Sequence, residues 1–508
     1  MIRMVMLVAI CVAFTVPEAR AVSAGAEHAT PTPLRMGGGL SIVAVRTVQK
    51  VRAETSVAGG VSYPHQRPRL AGFSPLVAIT TSSKRSNKDI VFEHQLELSY
   101  SGSPIAGPPN SNYVIGFLDS GSVVDLAAGS AAEAIGLSGS YVTSNTIPIG
   151  GVGGTVDAFV SQPLAIFAAG LSAIDQGGLL NLPDLRGHSN VSAVVAPELD
   201  CGNGEALTAV VGTPFLSYYN SVINVDTPRK VAWNGQIYQS PDVQVTTLPV
   251  DLDDYSHAFS LTPGGLSPVS TASYFPDLED LETPIVPTML SLTPLSFPTG
   301  AVFFSTVLAL QGEQSPSNLP VSMRMMVDTG AQSSIISPGI AAELSLPFEP
   351  DFVVDVCGVG GLQTDIPGYY IDYVRINALG GPLEYSRAPF VVLDLQSPEG
   401  GPLDGVLGMN FFWNRNVAFE PSLTTSGFFD VSDPVPFAYA DFDLDFDVDR
   451  PDASLVPPCM TGPVAGVMSP ECAHVDHELD DDVDLLDFSA VQRCFGGADA
   501  VVNVDCAD

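Results

Sequence analysis

The stretch MVDTGAQSSIIS, residues 326–337, sets a lone carboxylate, Asp328, straight after an apolar run and follows it with Thr329, Gly330 and Ala331. A solvated aspartate needs no such setting. A carboxylate held in a tight, half-buried turn does, because the glycine lets the backbone turn sharply and approach closely. FLDSGSVVDLAAG, residues 117–129, repeats the pattern with Asp119, Ser120, Gly121 and Ser122. A single Asp-Ser/Thr-Gly is most often only a turn, so the weight falls on what surrounds the two.

With Asp119 set over Asp328, an offset of 209, DSGSVVDLAAGSAAEAIGL lies over DTGAQSSIISPGIAAELSL. Downstream, GGVGG at 150–154 (Gly151, Gly153, Gly154) is matched by CGVGG at 357–361 (Gly358, Gly360, Gly361). Further on, AVVGTPFL at 209–216, with Gly212, is matched by GVLGMNFF at 405–412, with Gly408, at an offset of 196. The same three elements occur twice in the same order, which is the mark of an internal repeat. A short helix is expected after each motif. Ser130 with Glu133 reads as a capping box in the first, and Ser337 as N-cap with Pro338 at the first helical position in the second.

Two related halves imply a pseudo-twofold axis at which Asp119 and Asp328 meet. Carboxylates about 3 Å apart cannot both ionise easily and share a proton. The charged one then acts as general base on a trapped water, and the protonated one hydrogen-bonds the carbonyl of a scissile amide. Neither a metal nor a covalent intermediate is needed. Ser120 and Thr329 are expected to bond across the axis, and Ser122 to bond Asp119. The glycine-rich hairpins would close over a bound peptide and exclude water.

At these residues the sequence resembles the aspartic peptidases. The two-lobe size looks like the pepsin-like group, whereas VDTGA, GVGG and GVLGMNFF look like the retropepsin group. The resemblance covers roughly residues 90–235 and 290–430. It implies an all-β fold of two homologous lobes with the active cleft between them, and Asp119 and Asp328 as the catalytic pair. It also implies that Gly212 and Gly408 lie in strands packed behind the two loops. The first motif departs from the family by carrying Ser120 where Thr is usual. Tyr141 is the nearest candidate for a flap tyrosine.

The bulk numbers agree with such a chain. A length of 508 residues calls for more than one core. The 47 Gly and 42 Pro favour turns and short strands over long helices. A net charge of −36 repels nucleic acid and anionic membrane. MIRMVMLVAICVAFTVPEARA at 1–21 reads as a secretory signal with Ala19-Arg20-Ala21 as the cleavage site, its apolar core being too short to span a bilayer. Export to the periplasm, the cell surface or the medium is therefore expected, with no membrane span. The segments read as 1–21 signal, 22–85 N-terminal arm or pro-like segment, 86–235 first lobe, 236–287 linker, 288–435 second lobe and 441–508 a separate C-terminal module.

The tail carries the steepest shift in composition. From Asp441 onward seventeen acids stand against Arg450 and Arg493. DFDLDFDVDRPDASLVPPCMTGP (441–463) overlays DHELDDDVDLLDFSAVQRCFGGA (476–498) with a period of 35. Acids recur at loop positions 1, 3, 5, 9 and 12, as Asp441, Asp443, Asp445, Asp449 and Asp452, then Asp476, Glu478, Asp480, Asp484 and Asp487. Asp447 and Asp482 fall at position 7, where a backbone carbonyl would bind. Oxygen donors at this spacing suit Ca²⁺. The tail resembles a dockerin-type pair of EF-hand-like loops, which implies a small α module and a cohesin-like or cell-surface partner. Two departures stand out: position 6, usually Gly, is Phe446 and Asp481, and Asp replaces Glu at position 12. Pro457-Pro458 predicts a short or absent helix after the first loop. LLDFSAVQRCF predicts an amphipathic helix after the second, with Leu486, Val491 and Phe495 on its buried side. Cys459–Cys472 and Cys494–Cys506 are the expected disulfides; Cys201 and Cys357 stay unassigned.

Other chemistries find no support. There is no G-x-S-x-G elbow, no H-E-x-x-H, no phosphate-binding glycine loop, and the seven histidines are scattered. Two functions follow from different classes. One is a secreted aspartic endopeptidase acting on peptide or protein. The other is a non-catalytic peptide-binding or attachment protein that retains the fold and is anchored by the calcium module.

Overall fold

The structure, a computed structural model, describes residues 41–47, 67–82, 90–93, 97–100, 112–162, 164–198, 208–233, 236–264, 273–275, 300–312, 319–395, 402–422, 426–435, 440–442, 448–462, 472, 475–477, 482–497 and 506. The 1–21 signal and Cys201 lie outside these residues. Among them, no helix is long and apolar enough to cross a membrane.

The fold is mostly β, as the glycine- and proline-rich texture predicts. Val114–Leu118 is buried at every position. A strand covered on both faces shows a continuous apolar run rather than alternation, and VIGFL is such a run. It runs parallel to Ala209–Val211, which is antiparallel to Leu126–Ala128, which is parallel to Val194–Ala196. The second half repeats the arrangement. Val321–Val327 is parallel to Gly405–Leu407, which is antiparallel to Ile335–Ile336, itself parallel to Leu383–Val392. Each half thus seats its Asp-Ser/Thr-Gly motif at the end of a central buried strand.

A hairpin projects from each half. Val142–Gly151 pairs with Gly154–Ser161, and Phe352–Gly358 with Gly361–Ile376. Tyr141 closes a 3₁₀ turn at the root of the first hairpin, far from its tip, and so does not occupy the flap position suggested for it. Beneath the halves, Asn220–Trp233 and Gln236–Thr246 from the first join Arg415–Glu420 and Gly427–Pro434 from the second, with His257–Pro263 alongside. Phe259, Phe412, Phe419 and Phe429 are buried in the core this platform helps to cover. Each such side chain contributes about 1.5–3 kcal/mol by burial.

Several segments differ from their sequence reading. Residues 67–82, assigned to a loose arm, are largely buried, and Leu76–Ser82 is an inner strand of the first sheet. Ser41–Thr47 pairs antiparallel with Phe352–Gly358. The supposed linker contributes Gln236–Thr246 and His257–Pro263 to the platform. Its prolines are accommodated where register slips, Pro241 facing Pro228, and its apolar alternation (Val243, Val245) turns inward. The Ser130 capping box does not form. The helix Gly129–Ala134 begins before it, with Ala128 at the N-cap, and the Ser130 hydroxyl faces Glu198 instead. In the second half Ser337 caps as predicted, accepting from Ile340 N–H at 3.2 Å with Pro338 behind it.

The C-terminal region has a core of its own, formed by Val448, Val456, Val475, Val483, Ala490 and Val491 with its cysteines. Both expected disulfides are present, Cys459–Cys472 and Cys494–Cys506. Cys357 is also disulfide-bonded. The period of 35 is visible as reciprocal bonding. Thr461 and Gly462 N–H donate to Val483 O, and Gly496 and Gly497 N–H donate to Val448 O. Two helices follow, Arg450–Cys459 and Leu485–Cys494, equal in length at 10 residues. Pro457 and Pro458 therefore do not shorten the first. They sit exposed in its last turn and remove two intrahelical donors there without ending the helix before Cys459. In the second helix Val491 is buried as predicted, but Leu486 and Phe495 are exposed; Asp487, Ala490 and Cys494 complete the inner face. The acids won the inner positions because their carboxylates close capping boxes.

Candidate active site

Asp119 and Asp328 enter on matching bonds. Asp119 N–H donates to Val211 O and Asp328 N–H to Leu407 O, each at 3.0 Å. In each loop one carboxylate oxygen is locked by two backbone donors. Asp119 Oδ1 accepts from Gly121 at 2.8 Å and Ser122 at 3.0 Å. Asp328 Oδ1 accepts from Gly330 at 2.8 Å and Ala331 at 3.1 Å. The two carboxyls lie close enough for each to shift the other's titration.

The glycines of the motifs are what allow this approach. A methyl group at Gly121 would fall 2.4 Å from Asp328 Cγ, and one at Gly330 would fall 2.5 Å from Asp119 Cγ. Each aspartate thus lies over the other loop's glycine. The hydroxyls form the reciprocal link. Ser120 N–H donates to Thr329 Oγ1 at 3.1 Å and Thr329 N–H to Ser120 Oγ at 3.0 Å. Ser120 Oγ donates on to Val327 O at 2.9 Å and Thr329 Oγ1 to Leu118 O at 2.7 Å. Both side chains are fully buried. Ser122 departs from expectation: its backbone N–H reaches Asp119, but its hydroxyl donates to Val124 O. The turn folds that hydroxyl back on its own chain.

Burial raises the pKa of both aspartates. Asp119 is held back by Asp328 and the two N–H groups. Asp328 goes well above the usual carboxyl range, through burial first and then the charge of Asp119. With both raised and coupled, the pair holds a shared proton to higher pH than two free carboxyls would.

Gly212 and Gly408 stand immediately behind the loops. A methyl at Gly212 would lie 2.3 Å from Val124 O, and one at Gly408 would lie 2.7 Å from Ser333 O. The hairpin tips meet each other. Gly360 N–H donates to Val152 O at 2.8 Å. Gly153, at φ +86°, faces Gly361, and a methyl on Gly360 would fall 2.1 Å from Gly154 N. Gly151, Gly154, Gly358 and Gly361 lie in the same paired turns.

Sequence reading missed how the loops are backed. Residues leading into each half pass behind the loop of the other. Gly72 N–H donates to Gln332 O at 2.7 Å, and Gly300 N–H to Val123 O at 2.9 Å. Ser74 Oγ adds a bond to Gly330 O. A methyl at Gly72 would meet the Met409 carbonyl at 2.4 Å, and one at Gly300 the Thr213 hydroxyl at 1.9 Å. The faint signal was a glycine in each leading segment.

In the tail, Asp452 and Asp487 are buried and each bridges its own loop. Asp452 accepts from Phe442 and Asp449 N–H, and Asp487 from His477 and Asp484 N–H. Carboxylate oxygens of Asp482, Asp484 and Asp487 lie within 4.8 Å of one another. Asp482 thus joins the group through its side chain. Asp449 and Asp452 are the first loop's counterparts of Asp484 and Asp487, and Asp441 and Asp476 match each other at the start of the two loops. Asp443, Asp445, Asp447, Glu478 and Asp480 lie outside the described residues.

No curated protein matches the chain. Among solved structures it is similar to an aspartic proteinase from Irpex lacteus, at 12% identity and a TM-score of 0.34, covering 71% of this chain and 96% of that one. A family model described as Aspartyl protease matches residues 317–411. That match takes in Asp328, the Gly358–Gly361 turn and Gly408.

Proposed function

We propose that the protein is an aspartic endopeptidase that hydrolyses peptide bonds with a water activated between Asp119 and Asp328. The observation that carries the reading is the close pairing of two half-buried carboxyls, each over the other loop's glycine and each with one oxygen fixed by two N–H donors. The ionised partner takes a proton from water as it attacks the amide carbon, and the protonated partner donates to the carbonyl oxygen. The paired tips at Val152 and Gly360 cover the substrate and keep bulk water out. Peptide or protein is the substrate. The leading sequence supports export.

The C-terminal region is a calcium-binding module in this reading. The donor set is all hard oxygen, three of its side chains already converge, and the matching loop repeats them, which fits Ca²⁺. Asp476, Glu478, Asp480, Asp482, Asp484 and Asp487 would hold one ion, and their counterparts from Asp441 to Asp452 another. Bound calcium would neutralise acids that otherwise repel. A cohesin-like or surface partner is the corresponding role.

The test is cleavage of an unstructured protein substrate at acid pH, with and without pepstatin, by the wild type and by Asp328→Asn. Wild-type cleavage that pepstatin blocks and the variant lacks, with unchanged circular dichroism, is the expected result. Cleavage by Asp328→Asn at the wild-type rate refutes the assignment.

A further inference from the structure

Asp125 is a buried carboxyl that the reaction does not use. It is 3% exposed, and its Oδ1 accepts the Gly212 N–H at 2.8 Å. Its Oδ2 is buried without a hydrogen-bond partner. The internal repeat shows what is unusual here. At the offset of 209 the second half has Ser334. Ser334 Oγ accepts the Gly408 N–H at 2.9 Å and donates to Asn410 Oδ1 at 2.7 Å. That chain of bonds is neutral and complete. In the first half the residue aligned with Asn410 is Pro214, which offers no amide.

The surroundings give a charge nothing to balance it. The strands Leu126–Ala128, Val194–Ala196 and Ala209–Val211 and the helical turn Thr213–Leu216 carry no titratable or charged side chain. Glu133 on the neighbouring helix is exposed. Asp119 and Asp328 titrate nearby, but neither contributes to Asp125; burial pushes it up to about 7 against the single favourable N–H. What Asp125 holds matters for the site. Gly212 leads into Thr213, whose N–H and hydroxyl both donate to Ser122 O, at 2.8 and 2.9 Å. Ser122 in turn donates its N–H to Asp119.

We propose that Asp125 works as a neutral carboxylic acid that positions the Asp119 loop through Gly212 and Thr213, the task Ser334 performs with a hydroxyl in the other half. The loop of the first half is then the part of the site that loosens as pH rises. The catalytic meaning of that loosening rests on the peptidase reading; the protonation of Asp125 does not.

Because the folded group binds its proton more tightly than the unfolded one, stability is full below the ordinary carboxyl range. It falls about tenfold in the folding constant per pH unit from there to about 7. Asp125→Asn keeps the shape without the titration, and Asp125→Ser copies the second half. Urea unfolding of both is compared with Asp125 itself, all in the Asp328→Asn background, which removes self-cleavage. Other buried acids, such as Asp430, then cancel in the difference. The expected gap in folding constant between each variant and Asp125 grows in the variant's favour between about pH 4 and 8, approaching a thousandfold. A gap that is constant with pH overturns the proposal, as does failure of both variants to fold at acid pH. In the active chain, the ratio of kcat/KM near pH 6.5 to that near pH 4 should rise in Asp125→Ser. An unchanged ratio beside a pH-dependent gap refutes the positioning role. A wild type that cleaves nothing removes the peptidase reading and leaves the unfolding result intact.

Discussion

Thr329→Val removes one oxygen at the point where the two halves are tied, while keeping the side chain's shape. The lost hydroxyl accepts the Ser120 N–H at 3.1 Å and donates to Leu118 O at 2.7 Å, both buried partners in the opposite half. Each buried group left without its partner costs about 1–3 kcal/mol, so the pair predicts a loss of about 2–6 kcal/mol. Thr146 lies exposed on the first hairpin, and Thr146→Val is the control, expected to change stability by less than about 0.5 kcal/mol. Urea unfolding followed by Trp233 and Trp413 fluorescence measures both. Ser120→Ala should cost a similar amount, because its hydroxyl makes the mirror pair of bonds to Thr329 N–H and Val327 O. If Thr329→Val loses no more than Thr146→Val, the reciprocal hydroxyls do not hold the halves together and the reasoning fails.

Gly360→Ala should lower kcat/KM at least about tenfold with little change in unfolding, since the added methyl would fall 2.1 Å from Gly154 N and force the tips apart; steady-state kinetics near wild type would show that the tips need not meet. The rate should peak in acid and fall as pH rises through the upper titration of the pair, because both carboxyls are raised and the one-proton form is the active one; a rate still climbing at about pH 8 contradicts it. Calcium titrated into the full chain should protect the tail from proteolysis, and Asp487→Ala should abolish protection around the second loop by losing both a donor and the helix cap; equal cutting with calcium and with chelator rules the ion out.

The dyad geometry was legible because it depends on residues that must be what they are. Asp119, Asp328 and the glycines that let each face the other follow a repeat with a fixed offset. The bracing of the loops was not legible. Gly72 and Gly300 act through backbone N–H groups, which leave almost no trace in side-chain pattern. The supposed linker misled because Pro, Ser and Asp also occur on strands whose register slips, as at Pro228 and Pro241. On the tail helix, apolar periodicity pointed to Leu486 and Phe495, whereas the loop's need to satisfy buried N–H groups turned Asp487 inward. Local hydrogen bonding there outweighs hydrophobic pattern.

Each half lends the other a short leading segment, through Gly72 to Gln332 and Gly300 to Val123. The two repeats thus exchange arms within one polypeptide. A break anywhere between Gly264 and Gly300 would leave two fragments, each with an intact aspartate turn but without the segment that backs it. Activity in a mixture of such fragments would then depend on the product of their concentrations, as in the assembly of a heterodimer. The covalent connection replaces that encounter with a fixed, high local concentration, and makes assembly of the site independent of how dilute the protein becomes.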